Sequence, residues 1–362
     1  MILLQILAFI VGALIVLRTL ASAIVTFVMP RSGRDQLTRV VFLFVRRIFD
    51  LRNLRSRTYE DRDRVLALYA PIGLLMLPIV WLSLVLLGYM CIFWAVGAGD
   101  WEASFKLSGS SLLTLGFSSV DGLPMTVLAF SEAALGLILV ALLIAYLPTM
   151  YGAFARREAA VTMLEVRAGS PPSAVEMFAR AQRIHGWERL PGLWVTWEAW
   201  FADLEESHTS LAALAFFRSP QPGRSWITAA GAVLDSAALA NSTLDIPHDP
   251  QADFCIRAGY LALRYIGDFF GTEYDPSPKP DSPISITRGE FDAACEQLAA
   301  ANVPLKPDRE QAWRDFVGWR VNYDTVLLAL AALTAAPYAP WISDRGIFRP
   351  TPPIGGRKPK RP

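Results

Sequence analysis

Residues 108 to 122 read Ser-Gly-Ser-Ser-Leu-Leu-Thr-Leu-Gly-Phe-Ser-Ser-Val-Asp-Gly. Hydroxyl side chains and backbone carbonyls can replace water around a cation. Glycine reaches the unusual dihedrals that turn successive carbonyls the same way. The segment's many Ser, Thr and Gly residues are of the types that chemistry needs. The segment lies between two long apolar runs. Val65 to Gly99 carries no charge, and Leu123 to Ala155 carries only Glu132. Each exceeds the roughly 20 residues that cross a bilayer. Non-helical backbone at membrane depth is tolerated only where it is buried in protein or lines a watery cavity. The spacing therefore predicts a re-entrant loop over 103–122.

The elements that must hold this loop are predicted to be membrane helices. Hydrophobic residues make up 53% of the 362-residue chain and charged residues only 19%, and the apolar excess lies in the first 155 residues. A third run, Ile2 to Met29, has Arg18 as its one charge. Ala21-Ser22-Ala23 resembles a cleavage site, but no basic stretch precedes the run and it continues past that point to Met29, so it reads as a retained span over 1–29. Arg18 is far short of an arginine-rich voltage sensor and is expected to snorkel to the headgroups.

Charge sets the orientation. Residues 30–64 hold ten Arg against five acidic residues, whereas 98–124 hold one Lys and three acids. The positive-inside rule places 30–64 in the cytoplasm, with Arg156 and Arg157 after the third span in agreement. Within the basic loop, apolar residues from Leu37 to Leu51 alternate with Arg39, Arg46 and Arg47, and Arg52 follows. This predicts an amphipathic helix on anionic headgroups.

Past 155 the composition is that of a soluble domain, 156–347, with helix signals throughout. Ser170-Pro171-Pro172 reads as a cap and first-turn proline before a helix over 173–183. Thr287-Arg288-Gly289-Glu290 is a capping box opening a helix to about Ala301. Asp308 opens another, expected to run to Ala335. Trp194, Trp197, Trp200 and Phe201 recur at helical spacing and mark a core face. No alternating strand pattern is present, and 274–286 reads as a loop. The tail 348–362 is basic and rich in Pro and Gly, which predicts disorder. The fold class is thus an all-α membrane protein: three transmembrane helices, a re-entrant loop within 65–155 and a mainly helical cytoplasmic domain.

Other chemistry is sparse. Cys91, Cys255 and Cys295 lack metal-ligand spacing and read as reduced thiols. Of the three histidines, His208 is the most suggestive, because Asp203, Glu205 and Glu206 precede it. The acidic pair beside it could hold a divalent cation or make the histidine switch with pH, but a solvated or capping histidine is the expectation. There is no phosphate-binding glycine loop, nucleophile elbow, zinc signature or kinase set. No enzyme activity, resident metal, cofactor or nucleic-acid partner is expected.

The two spans and their insert resemble the two-helix-plus-pore-loop unit of the potassium channel superfamily, over roughly 66–155. In that family a short pore helix precedes a Thr-Val-Gly-Tyr-Gly-Asp filter. Here residues 103–113 correspond to the pore helix, and Thr114, Leu115, Gly116 and Phe117 match the filter position by position. Ser118 stands where the family has its second glycine and Ser119 where it has Asp, with Asp121 two positions on. The resemblance implies a selectivity filter over 114–118, conduction of a monovalent cation, K+ or Na+, and a homotetramer, since one loop cannot enclose a pore. A left-handed Ser118 would carry roughly 1 to 2 kcal/mol of strain, which implies a degenerate outer site and modest selectivity. Gly136 resembles an inner-helix hinge, and Pro148 should kink the helix near the cytoplasmic gate. Glu132 is expected to brace the filter through Ser108, Ser110 or Ser111. The soluble domain would sense a stimulus or assemble the tetramer, and would pass strain to Pro148 through residues 156–167. The implied function is a tetrameric, multi-pass channel of the cell membrane. A non-conducting receptor or scaffold with a pore-like fold is the alternative.

Overall fold

The computed structural model describes residues 2–29, 35–53 and 58–345. The expected disordered tail, 348–362, lies outside them. The described residues are helical with no strand. A single isolated antiparallel bridge joins Leu244 and Leu305. Three helical stretches have the length and apolarity to cross a bilayer: Ile2–Phe27, Tyr59–Ala95 and Leu123–Ala168. The residues divide into two compact units. One is built from those before residue 57 with Val65–Gly152, the other from those at 58–64 with Ala153 onward.

The first unit holds α1 (Ile2–Phe27), α2 (Gln36–Asn53), α4 (Tyr69–Ala95), α5 (Trp101–Leu112) and the first part of α6 (Leu123–Ala168). Between α2 and α4 runs α3 (Tyr59–Leu66), whose first residues belong to the second unit. Hydropathy alone does not pack membrane helices together, so small residues and polar contacts must. Gly12 of α1 and Gly88 of α4 face each other so closely that a Cβ on Gly88 would lie 2.9 Å from the Gly12 carbonyl oxygen. Further along the same pair, the buried Trp81 Nε1 donates to Ser22 Oγ at 3.1 Å. Phe27 packs edge-on against Trp81, with ring centroids 5.0 Å apart.

Asp35 caps α2 and ties it to α1. Its carboxylate accepts from the Thr38 amide at 2.7 Å and from Ser22 Oγ at 2.5 Å. The helix then docks on the start of α4. Val41, Val45 and Phe49 are buried at i, i+4, i+8 spacing, the Phe42 ring covers Gly73, and Tyr69 Oη donates to the Phe42 carbonyl at 3.4 Å.

The second unit continues from Ala153 of α6 through α7 (Ala174–Arg183), α8 (Leu190–Ser210), α9 (Trp226–Ser242), α10 (Pro250–Phe270), α11 (Arg288–Ala300), α12 (Arg309–Arg320) and α13 (Asp324–Thr334). Its organising element is α9. Every residue from Trp226 to Ala240 is buried, as befits a helix that is mostly apolar on every side, with Asp235 its one charged residue. Helices α7, α10, α12 and α13 pack about it, and α8 packs on α10. Trp194, Trp197, Trp200 and Phe201 form the buried face of α8 as their spacing predicts. The capping box at Thr287 and Glu290 is present, with Glu290 Oε2 accepting from the Thr287 amide at 2.8 Å.

Two local expectations are corrected. The N-cap of α7 is Ser173, and Ser170 to Pro172 form a turn ahead of it, so neither proline is at the first helical position. The helix opened by Asp308 stops at Arg320 rather than Ala335. Arg320 is fully buried there between Asp235, to which its Nη1 donates, and Asp324 Oδ1 at 2.7 Å. Tyr323 Oη also donates to Asp235 at 2.9 Å. Bringing Tyr323 and Asp324 onto that cluster breaks the chain into two helices.

Candidate functional site

The predicted polar insert is built on α5. Asp100 caps it, accepting from the Ala103 amide at 2.8 Å, and Trp101 stacks on Trp94 of α4 with centroids 4.8 Å apart. A Glu102–Lys106 pair at 2.6 Å stays exposed on its outer side. The opposite side buries Ser104, Leu107, Ser108 and Ser110. An unpaired buried polar group costs free energy; of the three hydroxyls turned inward here, Ser108 and Ser110 find partners, whereas Ser104 Oγ has none among the described residues.

Ser108 meets that need through two helices. Its Oγ lies 2.5 Å from Glu132 Oε1 on α6 and 3.0 Å from the Leu86 carbonyl oxygen on α4. Glu132 is fully buried. Ser108 has one hydroxyl proton and two acceptors in reach. Both contacts are hydrogen bonds at once when the carboxyl carries its own proton and donates to Ser108, which then donates to Leu86. Next to Glu132, Ser131 Oγ is 2.8 Å from Tyr89 Oη of α4. Of the three serines expected near Glu132, the structure brings Ser108 to it. Tyr89 and Ser131 are contributors that sequence reading missed. Their only signal was the adjacency of Ser131 to Glu132.

Ser110 acts on the linker instead. It is buried, and its Oγ accepts from the Ser118 amide at 3.1 Å. Its carbonyl accepts from the Leu115 amide at 2.8 Å, and the Ser111 carbonyl accepts from the Thr114 amide at 3.0 Å. The chain thus winds off the end of α5 and is held across 114–118 by the helix it has just left. Among the described residues, the carbonyl oxygens of 114–118 accept no hydrogen bond. Gly116 has a left-handed φ of 71°. The other left-handed residue here is Thr114, at 54°. Ser118 is not left-handed, so the strain expected at Ser118 falls on Thr114, whose Oγ1 lies 2.8 Å from the Leu113 carbonyl oxygen. Leu115 and Phe117 point to the surface, 60% and 65% exposed.

Gly136 is a contact point. A Cβ there would collide with the Leu112 carbonyl at the end of α5. Helix α6 is assigned without interruption through Gly136 and Pro148.

In the second unit, His208 is neither solvated nor beside a ligand set. It is fully buried, its ring 4.8 Å from that of Trp226. Arg157 Nη1 lies 3.3 Å from Nε2. A guanidinium only donates, so Nε2 accepts and the ring proton sits on Nδ1, facing the Leu204 carbonyl at 3.0 Å. Burial, reinforced by the Arg157 charge, holds the imidazole well below its ordinary value of 6.5. Arg157 is itself buried. It pairs with Glu158 at 2.8 Å and donates to the carbonyls of Leu214 and Phe217 at 2.8 and 2.7 Å. It is a structural arginine, whereas Arg156 makes a half-exposed pair with Asp203 at 3.1 Å. No cluster of three or more His, Cys, Asp or Glu suited to a metal occurs among the described residues.

Comparison with protein-family models, curated proteins and solved structures finds no match to this chain.

Proposed function

We propose that this chain is one subunit of a homotetrameric, potassium-channel-like cation channel of modest selectivity. Residues 114–118 of the four copies line its central axis, and the helical second unit is its cytoplasmic regulatory domain. The observation that carries this reading is the run of unpaired carbonyls at 114–118, sited where α5 ends between two apolar spans. A helix C-terminus carries a partial negative charge, and free carbonyl oxygens are the ligands that replace a cation's water shell. One chain offers one such run, and closed symmetry supplies the rest. The exposed Leu115 and Phe117 add support, because apolar side chains on a short linker gain from cover by neighbouring copies.

The departures from the potassium-channel pattern at Ser118 and Ser119 underlie the modest selectivity. Discrimination that depends on the number of coordinating carbonyl rings weakens when the outer ring is altered. Glu132 and Ser110 support the linker from behind, and Pro148 lies where a gate would bend.

Two measurements test the reading. Native mass spectrometry of the detergent-solubilised protein is expected to give a tetramer. Liposomes holding the purified protein are expected to pass K+ or Na+. A monomer or dimer as the only species overturns the pore. A tetramer without flux selects the non-conducting receptor or scaffold.

A further inference from the structure

Helix α2 carries two apolar stripes, and the fold uses only one of them. Val41, Val45 and Phe49 are buried against α4. Val40, Phe44, Ile48 and Leu51 form a second stripe at i, i+4, i+8, i+11, and they are 51% to 68% exposed. At about 100° per residue, this second stripe adjoins the first and is followed round the helix by Arg47 and then Arg39. Arg46 is not part of that basic edge. It pairs with Asp50 at 3.2 Å and lies over the Tyr69 ring at 5.5 Å. Arg39 and Arg47 are exposed and form no ion pair among the described residues; Arg52, also exposed, projects on the side docked on α4.

Leu68, Ile72 and Leu75 at the start of α4 are also exposed, and they belong to a helix long enough to cross a bilayer. An apolar stripe adjoining a span, edged by free arginines, is complementary to a membrane surface with negative headgroups. The stripe takes the acyl boundary and the guanidiniums take the phosphates.

The geometry points to α2 as a lipid-reading arm: docked on α4 through one stripe, it presents Val40, Phe44, Ile48 and Leu51 to the bilayer and binds anionic phospholipid through Arg47 and Arg39. The arm needs only that α1 and α4 span the membrane, so it stands or falls apart from conduction. A membrane without anionic lipid would leave the stripe less deeply seated.

The test uses the full chain in vesicles of phosphatidylcholine alone or of equal parts phosphatidylcholine and phosphatidylglycerol. A bimane label is placed at Phe44→Cys after Cys91, Cys255 and Cys295 are changed to Ala. Lipids brominated in their chains are expected to quench the label, several-fold more strongly in the anionic vesicles. Arg39→Gln and Arg47→Gln together are expected to abolish that difference between vesicles. Quenching by aqueous iodide in both vesicles overturns the proposal, as does equal lipid quenching in both. Shielding from both quenchers overturns it in favour of a second copy or another protein on this face. Should the label disturb folding, amide exchange of the unsubstituted chain in nanodiscs of the same two compositions gives an independent reading. Slower exchange over 36–53 in the anionic discs supports the arm, and identical exchange overturns it.

Discussion

Ser108 Oγ and Glu132 Oε1 approach to 2.5 Å in a fully buried contact between α5 and α6. Because Ser108 also faces the Leu86 carbonyl, this single hydroxyl joins three helices behind the linker. The neutral form of the carboxyl satisfies every proton in the chain of contacts.

Glu132→Gln keeps the shape and a donor without the charge, so the protein is expected to assemble and melt as the parent does. Ser108→Ala strands the carboxyl, and Glu132→Ala leaves Ser108 Oγ without its donor while it still reaches the Leu86 carbonyl. Each is expected to cost about 1–3 kcal/mol, the penalty of a buried donor or acceptor left unpaired. Thermal unfolding in detergent reads all three. A Gln variant as damaged as the Ala variants would show that the carboxylate charge matters and the proton count is wrong.

Selectivity is the second expectation. Ser118 and Ser119 alter the outer part of the run, so the parent channel is expected to favour K+ over Na+ only modestly. Ser118→Gly with Ser119→Asp is expected to raise that preference. Reversal potentials in mixed K+ and Na+ measure it. A parent already strongly K+-selective contradicts the expectation, and so does anion current.

Orientation follows from the arginines of 30–64. A cysteine replacing Glu60 is expected to resist membrane-impermeant thiol reagents in intact cells and to react after permeabilisation. Labelling in intact cells would invert the topology.

His208 gives the second unit a pH dependence of definite sign. The folded ring is held neutral well below 6.5, while an unfolded histidine gains its proton near that value. Below about pH 6.5 the unfolded chain therefore binds more protons, and stability falls as pH falls, by up to about 1.4 kcal/mol per pH unit. The contribution is fully present above the unfolded value. His208→Gln is expected to remove this slope. Melting temperatures of parent and variant between about pH 8 and pH 5 would coincide in slope if the idea were wrong.

The sequence makes the helices legible where the signal is local. Run lengths mark the three candidate spans, the spacing of the tryptophans marks the buried face of α8, and Thr287 with Glu290 marks the start of α11. Glu132 and a serine partner are legible too, since an isolated carboxylate in an apolar run must find one. What escapes is decided across long separations. His208 meets Arg157 across 51 positions, so its burial leaves no trace in its acidic neighbours. Arg320 meets Asp235 across 85, and that cluster ends α12 where helix propensity alone would continue it. The left-handed residue is Thr114 rather than Ser118 because α5 winds on into the linker through the Ser110 and Ser111 carbonyls, a feature that a motif match does not carry.

The enclosure of α9 also bears on how the chain is made. This helix leaves the ribosome before α10, α12 and α13, which supply much of its cover. Until those helices are synthesised its apolar sides lack their cover and Asp235 lacks its partner Arg320, and domains fold as units during synthesis. A nascent chain stalled or truncated before α12 thus displays adhesive apolar surface on α9 together with an unpaired Asp235, making C-terminal truncations prime substrates for chaperones and quality-control proteases.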